Sequence, residues 1–495
     1  MTIVRLSTHD GKHVEYVDTI AAQGGMKDVY FSPDKSYVVA FFRDKLDFQG
    51  KERLKAIVGS YREGILEKEG GTYWAELFRW PTGIVEKDGR VGVVVPAYKS
   101  CFFFSHGSVN GDILGIKGHE KKGKWFASAS NRRKYLPPEE KGSWLTHLQV
   151  CLSISRAVRR LHAAGLAHSD LSYNNVLVDP VTGQACVIDI DTLVVPNKYP
   201  PGVVGTPDFI APEVVETQSL DRSDPRRKLP SSYTDRHALS VLIYVYLLYR
   251  HPLRGSKIHD FDAAKDEELM MGSAALFIEH PTNTQNRVKE DQISKAQQPW
   301  GDPHRMPYSI TGPYLSDLFE KAFIGGLHDS QKRPTASDWE NAIIKTIDLL
   351  QPCAKKCEMG WYVFDNTTRP CCPYCRTPYL DKLAVLNLYS CRRGGNYKPD
   401  NHRVMVWDGQ SLFPWHANRF VFPGEKLSAD QKKRVGYFRL HKGDWFLVNT
   451  GLLQMFDVVA KRDVPVGDKV KLTDGGQILL SREDGGRLVQ VQLVN

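Results

Sequence analysis

The sequence lacks most features that would tie it to a membrane, an oxidising compartment or a nucleic acid. Its longest apolar run, Ala238 to Leu248, is about half the ~20 residues a membrane-spanning helix needs. The first twenty residues carry charges and no apolar segment, so no secretory signal is visible and a cytoplasmic protein is expected. The net charge is only +9 over 495 residues, and Lys and Arg cluster tightly only at Arg132-Arg133-Lys134, Arg159-Arg160 and Lys432-Lys433-Arg434. Groups this short read as solvated faces, which argues against nucleic acid or a membrane surface as a partner. Cysteine is sparse except in one place: five of the nine lie between Cys353 and Cys375, which fits reduced thiols around a metal better than a disulfide framework. With 41% hydrophobic and 25% charged residues, the composition is that of a globular chain, and the length predicts about two to four domains.

What the chain does have is a dense polar stretch, His168-Ser169-Asp170-Leu171-Ser172-Tyr173-Asn174-Asn175. After it come an apolar run from Val176 to Val178, a turn at Asp179 to Gly183, and a second run from Ala185 to Ile188 ending in Asp189-Ile190-Asp191. A strand, a tight turn and a strand would deliver these polar groups to one place. The stretch resembles a kinase's phosphoryl-transfer loop, in which one carboxylate orients the attacking hydroxyl, and an amide and a second carboxylate hold the Mg²⁺ ions that bridge the phosphates. Asp170, Asn175 and Asp189 fill those places. Asp191 is the alternative metal ligand, although the fourteen-residue spacing from Asn175 favours Asp189.

The stretch resembles the catalytic loop His-Arg-Asp-Leu-x-x-x-Asn of eukaryotic-type protein kinases, and the resemblance covers roughly residues 15 to 350. Two departures stand out. Ser169 replaces the arginine that would grip an activation-loop phosphate, and Ser172 replaces the lysine that steadies the transferred phosphate.

Val14 to Ile20, Val29 to Ser32 and Tyr37 to Phe42 read as strands of a small lobe. Aligning on Val29 puts Ala22, Gly24 and Lys27 at the three glycine places of the phosphate-covering loop, with Gly25 between them. The third strand should read Val-Ala-x-Lys; here Val39-Ala40-Phe41 is followed by Phe42, so the phosphate-binding lysine is missing. This resembles the with-no-lysine kinases, which supply a lysine from the third glycine place, and the resemblance implies that Lys27 takes that role. Gln49 to Lys68 has helical composition, and Glu63, twenty-one residues after Phe42, is preferred over Glu52 as the lysine's carboxylate partner. Leu77 to Val85 and Val91 to Val95 read as further strands, and Pro96-Ala97-Tyr98 as the hinge that meets adenine. Val29, Ala40 and Leu177 would then line the nucleotide site. Residues 104 to 142, rich in Gly, Lys and Ser, are read as an insertion at the mouth of the cleft.

Trp144 to Ala163 shows helical recurrence at Leu145, Leu148, Leu152, Ile154, Val158 and Leu161, closed by Gly165. The segment Gly205-Thr206-Pro207-Asp208-Phe209-Ile210-Ala211-Pro212-Glu213 resembles the end of a kinase activation segment. The resemblance implies a Thr206 hydrogen bond to Asp170, a protein substrate, an Asp235 bond to the catalytic-loop backbone, and an Arg333–Glu213 ion pair.

Cys353-x-x-x-Cys357 and Cys372-x-x-Cys375 resemble a zinc knuckle, with four thiolates suited to a closed tetrahedral site. From Ser390 the pattern turns to short strands and turns, and Trp445 to Gly451 with Val464 to Gly467 and Asp474 to Ile478 resembles the second half of a forkhead-associated domain.

The expected architecture is α+β: a bilobal kinase domain over 1–350 (small lobe 1–98, large lobe 99–350), a four-cysteine zinc knuckle over 351–380 and a forkhead-associated-like β-sandwich over 390–495. The combination resembles the kinase of the bacterial tellurite-resistance-associated triad. That resemblance implies a serine/threonine protein kinase that uses ATP with Mg²⁺ or Mn²⁺, phosphorylates itself and a companion, and has a von Willebrand factor A protein and a PP2C-type phosphatase as partners. The alternatives are a nucleotide-binding pseudokinase scaffold and a small-molecule kinase.

Overall fold

The computed structural model describes residues 2–23, 26–68, 70–198, 200, 205–221, 223–367, 369–391 and 395–494. The chain divides into two compact units, one of residues 1–308 and 316–340, the other of 309–315 and 341–495. No helix among the described residues is long and apolar enough to cross a membrane.

After the hairpin Ile3–Ser7/His13–Val17, the first unit forms a five-stranded antiparallel sheet in the order Ala22–Gln23, Lys27–Phe31, Tyr37–Phe42, Arg90–Pro96, Gly83–Lys87. Along Tyr37–Phe42 the side chains alternate between faces, as the two-residue period of a strand requires. Val39 and Phe41 pack against Val14 and Tyr16 of the hairpin Ile3–Ser7/His13–Val17, while Ala40 and Phe42 pack with Leu54, Val93 and Val58 on the other face. The helix anticipated over 49–68 is interrupted: Phe48–Ala56 and Arg62–Leu66 flank a widened π turn, Ile57–Tyr61, in which Gly59 leaves helical geometry at φ −91°, ψ −106°. The strand anticipated over Leu77 to Val85 begins later, at Gly83. Ahead of it lies the helix Gly71–Leu77, because Trp74 and Leu77 are drawn into a core with Ile57, Ile65 and Leu161, and Trp80 donates its indole N–H to Ile57 O at 2.8 Å.

The helix Trp144–Ala163 has the anticipated bounds, opened by a capping box in which Ser143 and Thr146 satisfy each other's backbone N–H groups and closed by Gly165 at φ 77°. It packs on the central helix Ser232–Leu248, whose residues from His237 to Leu248 are all buried. Arg333, 2% exposed, makes a bidentate pair with Glu213 at 2.8 and 2.7 Å, so two segments 120 residues apart are fastened together. The connection over 104–142 carries structure of its own. Lys122 bridges to Leu177 of the strand Val176–Asp179, and the buried Lys121 ammonium sits between Glu140 at 2.9 Å and Asp179 at 3.2 Å.

Two histidines of this unit, His147 buried and His251 half-buried, make its stability acid-sensitive. Burial, reinforced by the Arg132 charge, pushes His147 down to about 4, and burial pushes His251 down to about 4 against the opposing pull of Asp208. Unfolded histidines titrate near 6.5, so the stabilisation is complete above that pH and is lost as pH falls towards the folded values. At pH 5 the two should together cost on the order of 4 kcal/mol relative to neutrality. Urea unfolding of the whole chain at pH 7 and pH 5 should show a markedly lower midpoint for this unit at pH 5, a drop that shrinks in a His147→Gln/His251→Gln protein. Equal midpoints at the two pH values would refute the assignment.

The second unit contains the hairpin Leu350–Pro352/Trp361–Val363 and two antiparallel sheets. One sheet runs Tyr397–Val406, Leu383–Cys391, Arg487–Val494, Gln477–Leu479, Phe456–Asp457, Arg462–Asp463; the other runs Ser411–Leu412, Gly436–His441, Asp444–Asn449, Lys469–Lys471. A single apolar core draws Leu386, Val404 and Val491 from the first sheet and Phe438, Trp445, Leu447 and Val470 from the second, which makes a sandwich. Its strand Leu383–Cys391 starts ahead of the anticipated position 390. Leu383, Ala384, Val385 and Leu386 are buried in succession, so a search for alternation passes over them.

Candidate active site

The hairpin Val176–Asp179/Gln184–Val187 and the loop before it set the site. His168 is locked in place: its backbone N–H donates to Asp235 Oδ2 at 2.8 Å and its ring Nε2 lies 3.0 Å from Ile188 O. A carbonyl oxygen only accepts, so Nε2 carries the proton and Nδ1 is left to accept the Asp170 N–H at 3.2 Å. That N–H bond fixes the backbone at Asp170. Its two carboxylate oxygens are divided. Oδ1 accepts from Thr206 N at 2.7 Å and Thr206 Oγ1 at 2.8 Å, and Oδ2 accepts from Asn175 Nδ2 at 2.8 Å. Asp170, Asn175 and Thr206 are therefore one hydrogen-bonded cluster. Ser172 is fully buried and, because the Thr206 proton goes to Asp170, donates its own hydroxyl to Thr206 Oγ1 at 3.0 Å, and Ser169 donates to Thr192 O at 2.9 Å.

Asp189 follows the second strand in the left-handed region, φ 57°, ψ 38°, and caps the short turn Ile190–Thr192. The turn sends the two aspartates into different environments. Asp189 keeps a side chain 46% exposed, whereas that of Asp191 is 3% exposed. Lys27 Nζ reaches both, donating to Asp191 at 2.7 and 2.9 Å and to Asp189 Oδ1 at 3.3 Å. Burial alone would lower the Lys27 pKa; the Asp191 and Asp189 charges outweigh it and hold the ammonium above its ordinary value. Burial would likewise raise Asp189, but the Lys27 charge and hydrogen bond bring it below the usual carboxylate range. Both groups are charged at neutrality.

Lys27 opens the strand Lys27–Phe31 and stands directly opposite Phe42, so both side chains project from the same face. The ammonium lies 5.3 Å from the Phe42 ring centroid. Val29 faces Ala40 in the same ladder, and Ala22 faces Val29 on the other side. Leu177 is buried with Tyr98, Phe102, Cys186 and Ile188, and Pro96 ends the strand Arg90–Pro96. Burial pushes the Tyr98 hydroxyl well up, with Glu120 and Asp189 adding to it. Gly24 and Gly25 lie outside the described residues.

Glu63 does not join this group. It is exposed on Arg62–Leu66, just past the π turn, and Lys27 takes Asp191 and Asp189 as its carboxylates instead. Glu52 is directed to Lys55 at 3.0 Å and Lys198 at 3.9 Å. The Asp191 contact was missed in the sequence, although a signal was there: Asp-Phe-Gly normally follows this strand, and an ionisable residue stands in the glycine place.

A second cluster lies in the other unit. The Sγ atoms of Cys353, Cys357, Cys372 and Cys375 are all within 4.8 Å of one another, with Cys353–Cys375 at 3.4 Å and Cys357–Cys372 at 3.8 Å. Tetrahedral Zn–S bonds of about 2.3 Å would put sulfurs about 3.8 Å apart, so the donor set fits that metal.

The site thus joins two groups: Lys27 with Asp189 and Asp191, and Asp170 with Asn175 and Thr206. Residues 123–341 match the family described as the protein kinase domain. It is similar to the dual serine/threonine and tyrosine protein kinase of Apis mellifera, 34% identical over 73 residues, which is 15% of this chain and 7% of that protein. It is similar also to the probable serine/threonine-protein kinase gdt9 of Dictyostelium discoideum, 27% identical over 167 residues, 32% of this chain and 9% of that protein. With the serine/threonine-protein kinase dkf-1 of Caenorhabditis briggsae the identity is 22% over 255 residues, 50% of this chain and 29% of that protein. The chain therefore spans less than a third of the length of each of these relatives.

Proposed function

We propose that this chain is a serine/threonine protein kinase that transfers the γ-phosphoryl group of ATP to protein hydroxyls, its own included. The observation that carries the reading is the joining of Asp170, Asn175 and Thr206 in one hydrogen-bonded cluster, with Asp189 and Lys27 paired at 3.3 Å. Asp170 orients the attacking hydroxyl and takes its proton, while the oxygen forms a bond to the γ-phosphorus and ADP departs with the bridging oxygen. Lys27 offsets phosphate charge. Asn175 and Asp189 would hold Mg²⁺ or Mn²⁺, which when bound neutralises charge on the phosphates. Asp189 suits this better than Asp191, both of whose oxygens are already engaged by Lys27. Ala22, Val29, Ala40, Pro96, Tyr98 and Leu177 border the nucleotide.

The four cysteines hold a structural Zn²⁺. The sandwich recruits partners, and the resemblance to the tellurite-resistance-associated kinases supports a von Willebrand factor A protein as substrate and a PP2C-type phosphatase as companion. A nucleotide-binding scaffold is favoured by one observation: Ser172, buried and bonded to Thr206, offers no charge where a kinase keeps a lysine.

The test is transfer from γ-labelled ATP by the purified chain with Mg²⁺ or Mn²⁺, offered generic proteins and small hydroxyl compounds. Label on serine or threonine of the chain or of an added protein is expected. Nucleotide binding without transfer under either metal would instead establish the scaffold.

A further inference from the structure

A protein kinase aligns its phosphate-binding lysine by an ion pair with a glutamate on a small-lobe helix. Here neither half of that arrangement stands in its usual place. Phe42 occupies the strand position, Glu63 is exposed, and Glu52 is turned to Lys55 and Lys198. Lys27 nevertheless has a defined seat. Its cross-strand register with Phe42 delivers the ammonium to the face from which a lysine at 42 would project, and the Phe42 ring borders it at 5.3 Å.

We propose that Asp191 is the positioning residue for Lys27, replacing the helix carboxylate with one carried by the loop that follows the catalytic hairpin. Both Asp191 oxygens accept from Nζ, at 2.7 and 2.9 Å, and the two side chains are only 3% and 14% exposed. The left-handed Asp189 and the turn Ile190–Thr192 separate the tasks of the two aspartates. Asp191 is aimed inward at the lysine, and Asp189 keeps an exposed carboxylate for the nucleotide side. A residue with no side chain at position 191 would leave the ammonium with Asp189 alone, in competition with the metal.

This deepens the kinase reading and rests on it. It also bears on control. Shifting the helix Phe48–Ala56 cannot disengage a lysine that the helix does not hold. A phosphate on the activation segment has no arginine at 169 to grip, since Ser169 is spent on Thr192 O. Lysine alignment is therefore built into the catalytic strand and loop, and phosphate transfer should begin without a lag.

The experiment uses the full chain as wild type, Lys27→Ala, Asp191→Asn, Asp191→Glu, Glu63→Gln and Lys27→Ala/Asp191→Asn. It reads kcat and ATP KM separately, together with the side-chain NMR signal of ¹⁵N-lysine, in which a buried, hydrogen-bonded ammonium exchanges slowly enough to be seen. Asp191→Asn should lose roughly 10- to 100-fold in kcat/KM for ATP, with part restored in Asp191→Glu. In the Lys27→Ala background it should lose about 3-fold or less, because the residue acts through the lysine. Glu63→Gln should stay within about 2-fold of wild type. An undiminished Asp191→Asn, an equal loss in both backgrounds, or a comparable loss in Glu63→Gln would overturn the proposal. If Asp191→Asn fails to fold, Asp191→Glu decides by the same comparison. If the wild type transfers no phosphate, the kinase reading fails, and the NMR signal still judges this one. A Lys27 signal lost in Asp191→Asn and retained in Glu63→Gln supports the pair; one retained in Asp191→Asn disproves it.

Discussion

Replacing Asp189 with alanine should reduce phosphate transfer by roughly 10³-fold or more, the scale lost when a group that neutralises charge in the transition state is removed. Three features argue for so large a loss. The carboxylate is 46% exposed beside the buried Lys27–Asp191 pair, so it is the member of the trio that nucleotide and metal can reach. It is charged at neutrality, since the Lys27 charge and hydrogen bond outweigh the effect of burial. Its left-handed backbone, φ 57°, orients the side chain from a turn that the neighbouring hairpin fixes, so no adjacent residue can swing into the same place. Because Asp191 still holds Lys27 after the change, the thermal unfolding of Asp189→Ala should stay close to that of the wild type. Turnover at saturating ATP and Mg²⁺, set beside a melt of the same preparation, makes the comparison. An Asp189→Ala protein that kept more than about a tenth of its activity would transfer the metal-binding role to Asp191.

The parts of this site that were legible in the sequence are those in which chemistry and spacing are local. His168 to Asn175 and Asp189 lie on one loop and one hairpin, so their order along the chain sets their order in space. The Thr206 and Arg333 contacts are long-range, but each is carried by a motif whose partner is itself a motif. Lys27 was legible through the resemblance to the with-no-lysine kinases, and the register that sets it opposite Phe42, on the same face of the paired strands, came from the structure. Its partner was not. The Lys27–Asp191 pair spans 164 residues and depends on the direction of a three-residue turn, which no periodicity reports. The choice of Glu63 assumed an unbroken helix. The π turn at Ile57–Tyr61 adds a residue to one turn and so rotates everything after it by about 100°, which carries Glu63 to solvent. The early start of the sandwich was hidden for the opposite reason: Leu383 to Leu386 are buried together and show no alternation to read.

Removing the metal from the cysteine cluster should unfold the segment around it. Among the described residues, the apolar cluster around the thiols adds only Tyr362 and Tyr374 to the four cysteines, so the chain next to the sulfurs has little burial of its own to hold it. Structural zinc sites in small segments supply about 10–16 kcal/mol at neutral pH, so the ion would dominate the stability of the turns that carry the thiols. The turns are shaped to receive it. Lys356 at φ 50° and Arg376 at φ 60° bend the chain beside Cys357 and Cys375, and the Sγ separations of 3.4 and 3.8 Å bracket the edge of a zinc–thiolate tetrahedron. The chain purified without chelator should carry about one zinc, read by a colorimetric chelator after the thiols are modified. Cys372→Ser, at a fully buried position, should lose it, while Cys371→Ser, at an exposed neighbour, should keep it. Zinc loss should raise the protease sensitivity of residues 353–375 well before the sandwich, whose own core draws nothing from the cysteines. Retention of zinc in Cys372→Ser, or a zinc-free wild type that resists proteolysis in this segment, would count decisively against the site.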